Sequence, residues 1–320
     1  MEYVKFTQKP KLKNPRLIVA WPGMGEVAFK AASYLVEKLG AQEFASLSAE
    51  EFFYLTGSII QEGRLMLPKL PDNKFYFWKN AKGEDLVIFL SNAQPDLAKA
   101  EDYFQRIISV ARAFKVKSVA SFAAMPQATD HTQVSKVWVA ATSVKLNNEL
   151  KKYSLNFLND GQISGMNGLF LGLAKRAGFE GFCLLGEIPL YTIQIENPKA
   201  SYAVLEVFTR IMNIKISFKE LLEQVQTMEA EINKLLDYFK SASSAAPIGE
   251  EEIERIKKTL SHLTKLPVSV KDRIEKLFLQ AKGDIAKAQE LKAELDKWNA
   301  YKDYEDRFLD LFRRRDEKSN

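Results

Sequence analysis

Leu17-Ile18-Val19-Ala20-Trp21-Pro22-Gly23-Met24-Gly25-Glu26 is an apolar run that breaks at a proline and two glycines. Beyond the break, apolar residues recur at Val27, Ala31, Tyr34, Leu35 and Leu39. A short unbroken apolar run suits a strand buried on both faces, and the later spacing suits one face of a helix. The reading is a strand, a tight glycine loop and a helix, the opening unit of an α/β sheet. Glycine lets the chain turn sharply there, and the helix N-terminus leaves free N–H groups that favour an anion or a carboxylate.

The same alternation continues along the chain. Residues 42–47 read as a second strand. Ser48 with Glu51 three positions later is a capping-box pattern that predicts a short helix through Phe52, Phe53 and Tyr54. Residues 58–61 and 65–67 flank Gly63 as a hairpin, and 74–78 add a strand, so the sheet is expected to be mixed. A second fully apolar run, 86–90, ends at Asn92-Ala93-Gln94-Pro95-Asp96, and a helix over 97–114 follows. Strands are expected at 118–122, 137–141 and 182–187. Further helices are expected over 143–153, from a cap at Asn167 to 177, and from Pro198 to 213. Residues 1–14 read as a polar lead-in that wraps the domain.

From residue 219 the pattern changes. Leu221, Val225, Met228, Ile232, Leu235 and Phe239 are spaced as a heptad seam, which needs a facing surface. Ser241-Ala242-Ser243-Ser244-Ala245-Ala246-Pro247 reads as a low-complexity linker. The expected organisation is therefore an α/β domain over 1–240, a linker over 241–249 and a helical extension over 250–320. That extension is read as helices at 250–263 and 270–282 and one long helix over about 284–314. The long helix carries Ala288, Leu291, Leu295, Trp298, Tyr301, Tyr304, Phe308 and Leu311 on one face.

Composition narrows the class. The 320 residues are 46% hydrophobic and 27% charged, as in an ordinary globular protein. Forty-six basic against 41 acidic residues is too even a balance to indicate a nucleic-acid partner. A single cysteine, Cys183, allows no disulfide within the chain and fits a reducing compartment. No stretch reaches the roughly 18–20 apolar residues of a membrane span, and a cytoplasmic location is expected.

If the major strands run parallel, the loops 22–26, 92–96 and 187–189 leave the sheet at one edge, where open α/β sheets bind ligands. The candidate ligand pocket is Gly23, Gly25, Glu26, Asn92, Gln94, Asn167 and Glu187. Glu26, Asp96 and Glu187 are expected to converge on the 160–168 loop, with Glu26 or Glu187 as acid or base. The plainer reading has Glu26 favoured at a helix N-terminus by the helix dipole and Glu187 closing a strand with a hydrogen bond. The glycine loop lacks the Gly-Lys-Ser/Thr of a phosphate-binding loop and the third glycine of a dinucleotide fingerprint. His131 and His262 are the only histidines and lie far apart in the chain, so neither a metal site nor a cofactor is expected. Cys183 reads as a small core hydrophobe, and Asp130-His131 as a surface loop. The aromatics Phe52, Phe53, Tyr54, Phe75, Phe77, Trp78 and Trp138 read as core or as an edge for association.

Four pieces in series carry a resemblance. They are Trp21-Pro22-Gly23-Met24-Gly25-Glu26-Val27-Ala28, Leu90-Ser91-Asn92-Ala93-Gln94-Pro95, Ile163-Ser164-Gly165-Met166-Asn167-Gly168-Leu169-Phe170 and Leu184-Leu185-Gly186-Glu187-Ile188-Pro189. Over roughly residues 15–225 the chain resembles the proteasome assembly chaperone family, the second eukaryotic chaperone subunit and its prokaryotic relatives. The resemblance implies a three-layer α/β/α sandwich around a mixed sheet, similar to nucleoside phosphorylases and related hydrolases, with a C-terminal helical appendage. It also implies homo-oligomers and no agreed catalytic residues, and for some members binding to proteasome subunits. The chain's last residues, Glu317-Lys318-Ser319-Asn320, lack the hydrophobic–Tyr–any tail of partner-binding members, so docking on a proteasome ring by that mode is not expected. The expectation is a non-catalytic, homo-oligomeric protein-interaction or assembly protein. The alternative is a phosphorylase- or hydrolase-like enzyme that uses the strand-edge cleft.

Overall fold

A computed structural model describes residues 3–55, 57–61, 63–243, 268–281, 285–297 and 300–316. It forms two compact units, Met1–Gln226 and Thr227–Asn320. The first is a three-layer α/β/α sandwich.

Its sheet is built on the opening stretch. β2 (Arg16–Ala20) lies between β7 (Leu86–Ser91) and β8 (Ser118–Gln127), parallel to both, and β8 pairs in parallel with β11 (Glu180–Pro189). These strands are apolar on both faces because helices cover both. Leu17, Val19 and Trp21 point into one core with α2 (Ala100–Ala113) and α4 (Met166–Arg176). Ile18 and Ala20, one residue out of phase, point into the other with α1 (Val27–Leu39) and α5 (Pro198–Ile211).

The flanks make the sheet mixed. On one side β6 (Asn73–Trp78), β3 (Gln42–Leu47) and β1 (Val4–Phe6) add successively antiparallel strands. The polar lead-in thus becomes an edge strand. On the other side β9 (Val137–Ala141) runs antiparallel to β11, α3 (Val144–Leu150) follows it, and the short β10 (Asn156–Phe157) is parallel to β9. The order is β1-β3-β6-β7-β2-β8-β11-β9-β10. A separate ribbon, β4 (Ile59–Gln61) with β5 (Arg64–Met66), is the expected hairpin around Gly63.

The predicted helix after Ser48 does not form. Phe52 and Phe53 N–H both donate to Ala49 O, one turn only, and their rings bury against Tyr103. Glu51, which a capping box would turn back to Ser48, pairs with Arg106 on α2 instead. Tertiary contact therefore outcompetes the local cap.

α6 (Lys219–Ser243) buries Leu221, Val225, Met228 and Ile232 at the expected seam spacing, and the boundary between the two units falls inside it. Residues 244–267, which hold most of the expected linker and the expected helix at 250–263, lie outside the described residues. The helix expected at 270–282 is found at Val268–Ala281. The long helix expected over 284–314 is instead two, Ile285–Lys297 and Tyr301–Asp316. Ile274, Leu277, Phe278, Leu291, Leu295 and Phe308 share one small core. A continuous helix would carry Phe308 on the order of 20 Å beyond Leu295 at about 1.5 Å per residue. The break brings Tyr304 onto Phe278, rings stacked at 5.8 Å, and Arg307 onto Glu275 at 2.5 Å. Among the described residues no helix is long and apolar enough to cross a membrane.

Candidate functional site

The four parallel strands end at one edge, and there the loops of the predicted pocket meet. β2 leaves its ladders at Val19, opposite Ser121, and at Ala20, opposite Leu90. Trp21 is the next residue. Its backbone N–H donates to Asn167 Oδ1 at 3.0 Å, and its carbonyl accepts from Asn167 Nδ2 at 3.0 Å. Asn167, expected as a helix cap, is in fact the second residue of α4, whose cap position is taken by Gly165. The Trp21 ring is fully buried against Phe89 and Phe170, with Nε1 donating to Tyr103 Oη at 3.3 Å. Tyr103 in turn donates to Asn73 Oδ1.

Gln94 makes the next bridge. Its Nε2 donates to Pro22 O at 2.6 Å, and its Oε1 accepts from Met166 N at 3.0 Å. Met166 N–H opens α4 and has no partner within the helix, so a side-chain amide occupies the place an anion would take. Glycines permit this closeness. Gly165 sits at φ +72°, and a Cβ on Gly168 would stand 2.1 Å from Ile163 O.

The second half of the opening loop is held from β11's side. Gly25, at φ +60°, donates to Ile193 O at 2.8 Å and accepts from Asn197 N at 2.7 Å. Glu26 also adopts a left-handed conformation, φ +52°, an uncommon one for a residue with a side chain. Burial, aided by the nearby Glu196 carboxylate, raises its carboxyl from 4.5 to about 7. Glu196 forms an ion pair with Lys30 of α1 at 2.7 Å, with side-chain exposures of 2% and 5%.

The structure thus joins Gly23, Gly25, Glu26, Gln94 and Asn167 in one continuous loop system, but the three carboxylates do not converge. Asp96 accepts from Ala98 N and caps a single 3-10 turn. Glu187 lies inside β11 rather than in a loop, and its carboxylate accepts from Trp138 Nε1 at 2.7 Å. Asn92 Oδ1 accepts from Asp72 N at 2.9 Å. Asp130 is exposed, whereas His131 is buried, with Nδ1 2.9 Å from Tyr191 Oη, so this loop is more deeply packed than the sequence suggests. His262 lies outside the described residues. Cys183 is fully buried and its thiol is pushed up to about 12. Among the described residues no three His, Cys, Asp or Glu side chains group as metal ligands would.

Two open clefts, of about 530 and 470 Å³, lie at the opposite ends of the strands. Lys9 and Pro10 line both, with Trp78 and Lys79 in one and Phe114 and Lys115 in the other.

Sequence reasoning missed Lys30, Glu196 and Asn197. A signal for Lys30 was present, since it sits three residues after Val27 and four before Tyr34 on the apolar stripe of α1. A charge in that position needs a buried partner. Nothing local identifies that partner as Glu196.

Known proteins share this architecture. Residues 17–236 match the PAC2 family model. The uncharacterized protein MJ1210 of Methanocaldococcus jannaschii is 30% identical over 77% of this chain and 93% of its own length. PbaB of Pyrococcus furiosus, an archaeal proteasome activator, superposes with a TM-score of 0.63 at 25% identity, covering 72% of this chain and 97% of PbaB. PbaA of the same organism, an archaeal homolog of proteasome-assembly chaperone, gives 0.56 at 24% identity, over 75% and 99% of the two chains. The chain belongs to the PAC2 family.

Proposed function

We propose that this chain is a non-catalytic, homo-oligomeric interaction protein of the assembly-chaperone kind, acting in the cytoplasm on a protein partner and not on nucleic acid. The observation that supports the reading is how the strand-edge groups are used. All three side-chain amides of the predicted pocket, Asn92, Gln94 and Asn167, are committed to the protein's own backbone. Groups spent on closing the fold are not aimed at a substrate. PbaB is a proteasome activator, so a proteasome subunit is one partner to offer, held otherwise than through the hydrophobic–Tyr–any tail that the chain's last residues lack.

The test is the mass in solution together with a pull-down from the native cell. A multiple of 36.4 kDa and a recurrent co-purifying protein are expected. A strict monomer with no partner overturns the reading.

One observation favours a second reading, a small-molecule site. Glu26 combines a left-handed backbone with a carboxyl raised to about 7, beside a buried ion pair. Perturbed carboxyls of this kind cluster at functional sites. Thermal stabilisation by inorganic phosphate or a nucleoside, lost in Glu26→Gln, would favour this second reading over the first.

A further inference from the structure

After β1 the chain passes the starts of β3 and β7 on its way to β2, and this strap is tied at both ends. At one end the Thr7 and Gln8 N–H groups donate to Phe44 O, and Gln8 Nε2 donates to Glu43 O at 3.0 Å. At the other, Lys13 N donates to Asp85 Oδ2 at 2.6 Å and Asp85 N to Lys13 O at 3.2 Å. Between the ties the residues alternate. Pro10 and Leu12 are half-buried, while Lys9 and Lys11 stand exposed. The two open clefts lie against this strap. One has Phe6, Leu12 and Phe114 as apolar lining and Lys9, Lys11 and Lys115 as cations. The other sets Lys9 and Lys79 beside Phe77 and Trp78.

Among the described residues no carboxylate lines either cleft, and none of the four lysines has an acidic partner. The acids of this end are engaged elsewhere: Glu43 with Lys74, Glu84 with Arg16, and Asp85 with the N–H groups of Lys13 and Asn80. Helices α1 and α2 end here, and their dipoles favour cations, but each already carries one in its own last turn, Lys38 and Arg112. The strap lysines are additional. Like charges set over apolar walls focus a positive potential into the clefts.

We propose that the two clefts together dock an acidic peptide segment of a partner protein, its carboxylates on the lysines and its apolar side chains in the pits. The inference rests on the protein-interaction reading above and names a surface and a partner chemistry for it, away from the Trp21 loop. Shape favours a peptide. Clefts of about 530 and 470 Å³ are each of small-molecule size, but both are open and they adjoin at Lys9 and Pro10, so an extended chain can occupy both. Lining favours a protein over a nucleic acid, which brings no aliphatic side chains to the pits. Carboxylates suit lysine, a point charge on a flexible stem. Phosphate chains are matched better by the guanidinium fork, and among the described residues no arginine lines either cleft.

The experiment follows the fluorescence anisotropy of a labelled peptide of alternating Glu and Leu mixed with the full chain. Its controls are the same peptide with Lys for Glu, one with Ser for Leu, and a single-stranded oligonucleotide. The Glu–Leu peptide is expected to bind best, and Lys9→Glu/Lys11→Glu to weaken it about tenfold or more, as high salt also does. Lys69→Glu/Lys145→Glu changes the net charge equally at exposed residues that line neither cleft, and should leave binding within about twofold. A control that binds as tightly, or an equal loss in the two variants, overturns the proposal. All four substituted lysines are exposed, so the parent's melting temperature is expected throughout. Should the strap variant fail to fold, Lys9→Gln/Lys11→Gln takes its place. A parent that ignores the peptide yet keeps a protein partner in the pull-down overturns the docking site and leaves the interaction reading standing. A parent with neither overturns both.

Discussion

Asn167 is bound to Trp21 as a neighbouring strand would be, accepting from its N–H and donating to its carbonyl, both at 3.0 Å. The side chain of a helix thereby extends the ladder of β2 one residue beyond its last backbone partner. Both groups are buried, so water cannot replace the amide.

Asn167→Ala leaves those two backbone groups unsatisfied, at about 1–3 kcal/mol each. For a domain of this size the melting temperature should fall on the order of 10 °C. Asn167→Asp is expected to be worse at pH 8, where a carboxylate faces the Trp21 carbonyl, and to recover as acid supplies a proton that can be donated. Scanning calorimetry at two pH values checks both. A loss below about 2 °C for the alanine variant would contradict the clamp.

The raised carboxyl of Glu26 makes stability depend on pH in a definite direction. Its folded value, about 7, lies above the ordinary 4.5, so the folded state binds the proton more tightly than the unfolded state does. The associated stability is fully present below pH 4.5, declines between 4.5 and 7, and is absent above. Glu26→Gln should therefore flatten the profile and gain up to about 3 kcal/mol over the parent at pH 8, taken relative to the difference at pH 4. Urea unfolding at a series of pH values measures it. Parallel profiles for parent and variant would show that the Glu26 carboxyl binds its proton equally in the folded and unfolded states, and would refute the raised value.

Gly168→Ala places a methyl group 2.1 Å from Ile163 O, a backbone atom that cannot swing aside. The expected cost is about 1–3 kcal/mol or more, since overpacking forces the backbone to move. Because Gly168 follows Asn167, the clamp on Trp21 should loosen too. A red-shifted tryptophan emission would report this, and a variant with the parent's melting temperature would refute the packing argument.

Cys183 should be silent in the native protein. Its thiol is fully buried and pushed up to about 12, so almost no thiolate exists at pH 8. Ellman's reagent is expected to react only in denaturant. Prompt labelling of the native chain would mean that β11 opens locally.

The division between what the sequence by itself determined and what tertiary structure decided follows the range of the physics. The apolar runs 17–21, 86–90 and 182–185 and the spacing of α1 determined an α/β sheet covered on both faces, and the hairpin around Gly63 with the strand after it made that sheet mixed, because strand and helix burial follow periods of two and 3.6 residues. The Gly-rich stretches located the loops of the strand edge, since only glycine combines left-handed turns with close approach at no steric cost. Which groups would meet there was not legible. Asn167 looks like a helix cap from its neighbours, yet a partner 146 residues away claims it. Glu51 abandons its capping box for Arg106, and the C-terminal helix breaks so that Tyr304 reaches Phe278. Each of these outcomes sets a local preference of about 1 kcal/mol against a buried tertiary contact worth as much or more. The loop from Trp21 to Glu26 is thus a turn by its sequence, while its partners, Asn167 and Gln94 on one side and Ile193 and Asn197 on the other, exist only once the sheet has assembled.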